Sequence, residues 1–524
     1  MINKHFIFST CPAFGHIRPQ ISVVCKLVAA DPHLLFTIFS ANFFVPVIIQ
    51  EIARSSGSVT ESLTRIRVIG VGRREPPPPG MPLGDIGDMF MQIGREQGEA
   101  YRELVKENSM TCTTTDKAFD YHDIPKPSLA MVDVFVGEFA PAVKELTPQV
   151  IISTAWPSGT CSFLSHFGPE EYGGLENLDA RTKAVLQKDG TATFDEVAVS
   201  LFNTSGGALY PNGEGVKLFE YENIPQAAFP VRIPLPAPII MSALRLVRQY
   251  SDAAWINAPG GYQPKNSQIM ENWYEKKLGK KVFFVGPQGS PTKLAPAVPS
   301  DAPNPFANVF AFLDKHPPKS VIYISFGTVF YPITDLWRIE TVIKILLESR
   351  TPFIFSRAAM MFTPFSPELE KTLAENEGVG LVVDFVPQSE ALAHPSMGAF
   401  LTHGGTNSLY ESIQAGVLNI FWPQTADQPL HAAYMTENLD CAFELIQVRT
   451  GVGAGPPARG GKVEGTPEAV AAEFKQVLAE INGPVGERKR KNLNIIRQQF
   501  LDASKQGGEA EIALKGLADL GAPH

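Results

Sequence analysis

Residues 5–40 read HFIFSTCPAFGHIRPQISVVCKLVAADPHLLFTIFS. Two short apolar runs within this stretch, His5–Ser9 and Leu35–Ser40, are typical of parallel strands that are buried on both faces. Between them, apolar residues recur at helical spacing behind Pro19, a residue favoured at the first position of a helix. This strand–helix–strand order predicts a doubly wound α/β sheet, with the helix beginning at Pro19.

The same alternation continues along the chain and recurs in its second half. Three further strands of the first series are predicted at Ile66–Gly70, Leu129–Val136 and Val150–Thr154. The strands of the second series are predicted at Val321–Phe326, Phe353–Ser356, Gly380–Phe385, Ala399–Thr402, Asn419–Trp422 and Ala442–Ile446. Residues 159–250 contain Gly- and Pro-rich pieces in which we assign no strand.

A segment dense in Pro, Ser and Ala separates the two series and is typical of a linker between domains. We therefore predict two Rossmann-like domains that face each other. Their boundaries are 1–286 for the first domain, 287–305 for the linker, 306–485 for the second domain, and 486–524 for C-terminal helices that cross back onto the first domain. A cleft between two such domains is where ligands usually bind, so we expect the active site there.

Composition excludes several classes of protein. The 524 residues are 44% apolar and 19% charged, which is typical of a globular chain. The net charge of -9, with no basic stripe beyond Glu487–Lys491, argues against a nucleic-acid partner. The five cysteines form no C-x-x-C pair, so neither a zinc site nor a disulfide framework is indicated. Without a signal peptide or a long apolar run, we expect a soluble, cytoplasmic, monomeric protein with no transmembrane anchor.

The segment Leu401–Ser408 runs from a predicted strand through two glycines into a predicted helix. Backbone N–H groups at such a helix start favour an anion such as phosphate, and His403 would add a charge-assisted hydrogen-bond donor. A structural alternative stands beside this interpretation, because Ser408 and Glu411 have the spacing of a capping box and Gly416 is placed to end the helix. One turn from the anion, Glu411 is also suited to bind a ribose diol.

A second group of polar residues follows the strands of the first domain. His16 comes after the first strand, and Asp133 lies near the end of the apolar strand Leu129–Val136. Parallel strands place ligands at their carboxyl ends, so the two side chains can meet there as a base oriented by a carboxylate. The alternatives are a structural histidine, and an aspartate that caps a helix or pairs with an arginine.

The region from Phe385 to Gln428 resembles the 44-residue donor-binding signature of family 1 UDP-dependent glycosyltransferases. The matching residues keep the full spacing without insertion or deletion, and they are Phe385-Val386-Pro387-Gln388, His403, Asn407-Ser408, Glu411 and Asp427-Gln428. The resemblance extends from the Gly15-His16 loop through Ser325-Phe326-Gly327-Thr328 to the C-terminal helices. It implies a GT-B fold, in which two Rossmann-like domains enclose the active site.

The resemblance also implies a role for each donor-binding residue. Phe385 stacks on uracil, Gln388 binds the base or ribose, and Glu411 holds the ribose hydroxyls. The diphosphate is bound by His403, Asn407 and Ser408, and from a facing loop by Ser325 and Thr328.

Asp427 and Gln428 bind the sugar hydroxyls, and a glutamine at the last position is associated with glucose, which favours UDP-glucose as the donor. Phe385 and Thr406 stand where plant members carry tryptophan, which suggests a non-plant lineage.

The family reaction follows from these roles. His16 acts as the general base on an acceptor hydroxyl, and Asp133 stabilises the imidazolium that forms. A single displacement inverts the anomeric carbon, and the leaving UDP is stabilised at the helix start. Because the chain contains no D-x-D or other metal-ligand cluster, we expect a metal-independent reaction with no cofactor besides the donor.

The acceptor is predicted to be a small lipophilic molecule with a hydroxyl group, such as a phenolic, terpenoid or sterol. Aromatic residues of the first domain are its candidate lining, namely Phe14, Phe90, Phe135, Phe139, Trp156 and Phe163. Buried aromatic residues are more often part of a core than of a pocket, so this assignment has a structural alternative.

Two other functions remain open at this point. One is a UDP-sugar epimerase or another nucleotide-sugar enzyme on the same fold, and the other is a non-catalytic UDP-sugar-binding protein. The first strand–helix turn lacks G-x-G-x-x-G, which argues against a dehydrogenase.

Overall fold

The computed structural model describes residues 2–56, 64–78, 81, 83–107, 109–188, 191–202, 209–211, 213–229, 237–289 and 305–522. The chain forms two compact units. The first comprises Met1–Phe202, Leu235–Ala295 and Asp502–His524, and the second comprises Asn203–Pro234 and Pro296–Leu501. Neither unit is continuous in sequence, in contrast to the predicted boundary at residue 286. Most of the predicted linker, residues 290–304, lies outside the described residues.

The first unit is built on a seven-stranded parallel sheet. Its strands, in order across the sheet, are Lys281–Phe284, Ala253–Ile256, Ile151–Trp156, Leu129–Asp133, Lys4–Ser9, Leu34–Ala41 and Ile66–Val71. Both faces are apolar because helices cover them, and the interior strand Lys4–Ser9 is almost entirely buried. A short antiparallel hairpin pairs Ser109–Cys112 with Lys117–Asp120.

The helices of the first unit include Phe14–Ala30, Val45–Ser56, Leu83–Glu107, Ala140–Leu146, Thr160–Phe167, Leu178–Leu186, Phe194–Phe202, Ala237–Arg245, Pro264–Met270 and Glu509–Leu520. The main core of the unit lies between these helices and the sheet. The final helix contacts the edge strand Lys281–Phe284, so the end of the chain helps to cover the sheet.

Two predictions for the first unit are wrong in detail. The helix predicted to begin at Pro19 begins at Phe14, so Pro19 lies in the second turn and His16 is helical rather than in a loop. Packing of the apolar face offsets the hydrogen bond that a proline cannot donate. The strand predicted over Leu129–Val136 ends at Asp133, because the Asp133 side chain accepts a hydrogen bond from the N–H of Phe135 and starts a 3-10 turn.

The second unit contains a six-stranded parallel sheet. Its strands, in order, are Gly380–Val383, Phe353–Ser356, Val321–Ser325, Met397–Thr402, Leu418–Phe421 and Ala442–Glu444. Its helices include Ala307–Leu313, Trp337–Glu348, Pro367–Glu375, Gln388–Leu392, Thr406–Ala415, Gln428–Ala433, Pro467–Ile481 and Pro484–Ser504, the last of which ends in the first unit. Among the described residues, no helix has both the length and the apolar character needed to cross a bilayer.

An early part of the chain, residues 203–234, is also anchored in the second unit. The buried carboxylate of Glu222 pairs with the equally buried Arg449 at 2.9 Å, and Arg449 also bonds Glu444 at 2.9 Å. The N–H of Ala227 donates to Oγ1 of Thr450 at 2.7 Å. A buried ion pair that loses one partner is strongly destabilising, so this segment is tied to the fold of the second unit.

Candidate active site

In the first unit, two neighbouring strands bring His16 and Asp133 together. The strand Lys4–Ser9 pairs in parallel with Leu129–Asp133, so both end at the same edge of the sheet. His16 lies in the first turn of the helix that follows the first strand, and Asp133 is the last residue of the other. Nδ1 of His16 lies 2.8 Å from Oδ2 of Asp133, so the structure places these two predicted residues in direct contact.

The Asp133 carboxylate is fully buried and is held by several donors. Oδ1 accepts the N–H of Phe135 at 2.9 Å, and Oδ2 accepts a short hydrogen bond from Nε2 of Gln20 in addition to that of His16. Asp133 therefore caps a helical turn and also orients a histidine. The structural role and the functional role that the sequence offers for this residue both hold. Gln20 was not identified from the sequence, although it lies four residues after His16 on the same helix face.

This pairing decides which nitrogen of His16 can act as a base. A carboxylate only accepts hydrogen bonds, so Nδ1 carries the proton that it receives and Nε2 is left as the basic nitrogen. The side chain of His16 is 17% exposed, and its ring lies 4.7 Å from that of Phe135. Burial, together with the nearby Asp133, raises the pKa of the Cys11 thiol, so that this group stays neutral beside the pair.

The six aromatic residues predicted to line an acceptor site fall into three groups. Phe135 contacts His16, Phe90 stacks on Phe135 at 6.1 Å, and Phe14 begins the helix that carries His16. Phe139 is fully buried in the core against Phe39 and Tyr101, and is therefore a packing residue. Trp156 and Phe163 belong to a separate aromatic cluster with Phe167. The first group includes Phe135, whose ring contacts the histidine.

In the second unit, the strand Met397–Thr402 turns through His403-Gly404-Gly405 into the helix Thr406–Ala415. Gly404 has a φ of 85°, which favours glycine, and a Cβ at Gly405 would lie 2.5 Å from Nε2 of His403. The glycines let the chain turn closely around the imidazole. The N–H groups of the first helical turn are thereby available to an anion.

His403 is buried, and desolvation lowers its pKa to about 4. Burial therefore keeps the ring neutral at neutral pH. A neutral imidazole still donates one N–H. The ring packs against the neighbouring loop, where a Cβ on Gly327 would lie 2.8 Å from Nε2 of His403. In that loop Ser325 is buried and Thr328 is exposed.

The capping-box alternative for Ser408 and Glu411 is wrong, because the helix is capped by Gly405 and Ser408 is its third residue. Nε2 of Gln388 instead donates to Oε2 of Glu411 at 2.8 Å and to Oγ of Ser408 at 3.2 Å. Gly416 ends the helix with a φ of 74°, as the sequence predicts. The structure thus brings three of the predicted donor-binding side chains into one network.

Two other predicted donor-binding residues lie close to this network in sequence. Phe385 is 49% exposed and presents its ring beside Phe306, as a stacking surface would. Asn407 is the second residue of the helix Thr406–Ala415 and is half-buried. Both positions are compatible with contact to a bound nucleotide.

Gln428 is almost entirely buried, and its side chain braces a loop. Its Oε1 accepts the N–H groups of Gln424 at 2.8 Å and Thr425 at 3.2 Å. The resemblance implies that Gln428 contacts the sugar, and its amide nitrogen is then the atom that makes this contact.

Asp427 lies beside Gln428 and has two partners that the sequence did not indicate. Its Oδ2 accepts a hydrogen bond from Oγ1 of Thr406 at 2.8 Å and lies 3.2 Å from Nε2 of His431. In the sequence, the contact of Asp427 with His431 is indicated by their i, i+4 spacing.

Sequence comparisons relate the chain to glycosyltransferases. Residues 300–450 match the family described as UDP-glucoronosyl and UDP-glucosyl transferase. The chain is 24% identical over 508 residues to UDP-glycosyltransferase eriJ of Hericium erinaceus, which covers 94% of this chain and 93% of the relative. It is 25% identical over 435 residues to anthocyanidin 3-O-glucosyltransferase 2 of Fragaria ananassa, with 82% of each chain covered.

Solved structures show the same fold. A UGT transferase from Siraitia grosvenorii in complex with UDP superposes with a TM-score of 0.68 at 19% identity, covering 99% of this chain and 100% of the other. UGT71G1 of Medicago truncatula complexed with UDP-glucose gives a TM-score of 0.67 at 19% identity, with 99% of each chain covered. The chain has the GT-B fold, and its sequence is similar to those of family 1 UDP-dependent glycosyltransferases.

Proposed function

We propose that this enzyme transfers glucose from UDP-glucose to a hydroxyl group of a small lipophilic acceptor, with inversion at the anomeric carbon. The observation that carries the proposal is the contact of His16 with Asp133, which supplies a base where a hydroxyl nucleophile needs one. The name of the Fragaria relative, an anthocyanidin glucosyltransferase, and the UDP-glucose bound to the Medicago protein support a glucosyl donor and a phenolic type of acceptor.

The proposed chemistry assigns one proton transfer to His16. Nε2 takes the proton of the acceptor hydroxyl as its oxygen forms a bond to the anomeric carbon. The bond from that carbon to the β-phosphate oxygen breaks, and UDP leaves with the electron pair. Asp133 stabilises the imidazolium, because its buried carboxylate already receives Nδ1–H. Attack opposite to the leaving group inverts the carbon, so an α-linked donor gives a β-glucoside.

The residues of the second unit are assigned to the leaving group. In the proposal the N–H groups at the start of the helix Thr406–Ala415, with Asn407, Ser408 and His403, accept the negative charge that develops on UDP. Glu411 and Gln388 bind the ribose, and Phe385 stacks on the uracil. Since backbone and side-chain donors supply the stabilisation, we propose that the reaction needs no metal ion.

The acceptor is proposed to contact the aromatic side chains beside the histidine. Phe135 offers partly exposed apolar surface next to the His16 ring, the buried Phe90 stacks on Phe135, and Phe14 begins the same helix as His16. Such a surface favours a lipophilic alcohol or phenol over a charged acceptor.

We also propose that the protein is cytoplasmic and monomeric. A measurement of its molar mass in solution tests the monomeric state.

The first experiment measures UDP release from UDP-glucose, with EDTA and without added metal, over a panel of hydrophobic phenols and terpenoid alcohols. We expect acceptor-dependent release that falls by ~100-fold or more in His16→Ala, because the base is lost. Thr193→Ala, which alters an exposed residue of the first unit, serves as the control. Conversion of UDP-glucose without any acceptor would instead indicate an epimerase. Binding of UDP-glucose without turnover of any acceptor would indicate a binding protein.

A further inference from the structure

Thr406 and His431 meet on one oxygen of Asp427. Oγ1 of Thr406 donates to Oδ2 of Asp427 at 2.8 Å, and Nε2 of His431 lies 3.2 Å from the same oxygen. Oγ1 of Thr406 and Nε2 of His431 are themselves 3.3 Å apart. Thr406 and His431 are buried, whereas the Asp427 side chain is 19% exposed. Two donors on one oxygen restrict rotation of the carboxylate.

The backbone around Asp427 supports the importance of this orientation. Asp427 occupies the cap position of the helix Gln428–Ala433, where an aspartate normally accepts a hydrogen bond from the helix, yet its side chain makes no capping bond. Ala426, immediately before it, has a φ of 60°, a conformation that residues with a Cβ rarely adopt. The chain thus turns the carboxylate towards Thr406 and His431 against local preference.

We propose that Thr406 and His431 are positioning residues that orient Asp427 for the hydroxyl groups of the donor sugar and so determine which sugar is accepted. The inference rests on the proposed function. An oriented carboxylate accepts hydrogen bonds from hydroxyl groups in one arrangement only. A sugar whose hydroxyl points elsewhere leaves the carboxylate partly desolvated and unsatisfied, which is how such sites reject close analogues.

Calorimetric binding of three nucleotides tests this role without the need for an acceptor. The nucleotides are UDP, UDP-glucose and UDP-galactose, in which one hydroxyl has the opposite configuration. Thr406→Val keeps the shape of the side chain but removes the donor, and we expect it to weaken UDP-glucose about tenfold, the effect of one hydrogen bond to a charged group. The affinity for UDP should stay within about twofold of that of the unaltered protein, since UDP lacks the donor sugar. The ratio of the affinities for UDP-glucose and UDP-galactose should decrease.

Two further variants separate positioning from a structural role. Thr406→Ser keeps the hydroxyl and should restore the preference for UDP-glucose, whereas His431→Phe, which keeps a ring without nitrogen, should narrow it. Ser412→Ala removes another buried hydroxyl of the same helix, one that bonds the carbonyl of Leu409, and should leave the preference unchanged. In steady-state assays Thr406→Val should raise KM for UDP-glucose more than it lowers kcat.

The outcomes distinguish this inference from the proposed function. If the unaltered protein binds neither UDP nor UDP-glucose, the proposed function fails and this inference with it. If both bind, and Thr406→Val changes UDP and UDP-glucose equally or changes neither, the positioning role is overturned and the function stands. The same conclusion follows if Thr406→Ser behaves like Thr406→Val, because the hydroxyl is then not the group that matters.

Discussion

Gln20 and His16 lie one turn apart on the same helix, and both donate to Oδ2 of Asp133. The histidine is therefore oriented by a carboxylate that is itself held by a fully buried amide. An arrangement in which the orienting group has its own support leaves little freedom for the base to turn away from a substrate.

We expect Gln20→Met to lower kcat about tenfold with little change in the KM for UDP-glucose, because the carboxylate loses a donor and holds His16 less firmly. Initial rates at saturating acceptor measure the effect. Asp133→Asn should cost more, at least ~100-fold, since the imidazolium is no longer stabilised. Ser22→Ala is the control, because this hydroxyl on the same helix bonds Gln288 instead. An unchanged kcat in Gln20→Met would contradict the role of the amide.

A second prediction concerns the hydrogen bond of 2.8 Å from Gln388 to Glu411. If this bond orients Glu411 for the ribose diol, Gln388→Leu should weaken UDP about tenfold and 2′-deoxy-UDP much less. Fluorescence or calorimetric titration of the two nucleotides gives the ratio. Gln414→Leu changes a partly buried glutamine of the same helix as Glu411 and should affect neither. Equal weakening of both nucleotides would show that Gln388 does not act through the 2′-hydroxyl of the ribose.

A third prediction concerns Gln428. Gln428→His is expected to weaken the preference for UDP-glucose over other UDP-sugars, and an unchanged donor ratio would contradict a role for Gln428 in selecting glucose. The variant also removes the oxygen that accepts the N–H groups of Gln424 and Thr425. Gln428→Glu keeps an oxygen that can accept these N–H groups but removes the amide nitrogen. It therefore distinguishes loss of the loop hydrogen bonds from loss of a contact with the sugar. Competition assays with mixed donors measure both variants.

A fourth prediction concerns stability and pH. Burial raises the pKa of Glu473 to about 7, although its carboxylate accepts the N–H groups of Ile446 and Gln447. The folded state then binds more protons than the unfolded state between about pH 4.5 and 7, so this group's contribution to the free energy of unfolding falls as pH rises through that window. The loss is roughly 3 kcal/mol for a shift of this size.

Urea unfolding of the unaltered protein and of Glu473→Gln, at several pH values, isolates this contribution as a difference between the two curves. The difference should change between about pH 4.5 and 7 and be constant above pH 8. Glu468→Gln, an exposed position of the same helix, should show no such trend. A constant difference across the window would mean that Glu473 ionises normally.

Much of the fold could be predicted because continuous apolar runs mark buried parallel strands. The bounds of strand Val321–Ser325 and of the other strands in its sheet were predicted to within two residues. Ala253–Ile256 was missed because it follows a Pro-rich region that hid the alternation. The helix start at Phe14 was missed because Pro19 is a good first residue, and only tertiary packing shows that it lies inside a helix.

A site residue could be predicted from the sequence where it lies at the end of a predicted strand or within a recognisable motif. The contact of His16 with Asp133 follows from the order of neighbouring strands. Thr406 and Asp427 are far apart in sequence, and their contact depends on how two helices approach each other. The neutral state of His403 results from its burial, and a sequence motif does not indicate how deeply a side chain is buried.

The pairing of Glu222 with Arg449 limits how this enzyme can be recombined with its relatives. A chimera joined at residues 287–305 exchanges the C-terminal half but leaves Glu222 with the original N-terminal half. Glu222 would then need a cationic partner from the foreign half, and without one its buried charge would cost about 3–5 kcal/mol. A working exchange of donor specificity therefore needs additional crossovers on either side of residues 203–234, so that the segment travels with the half in which it folds.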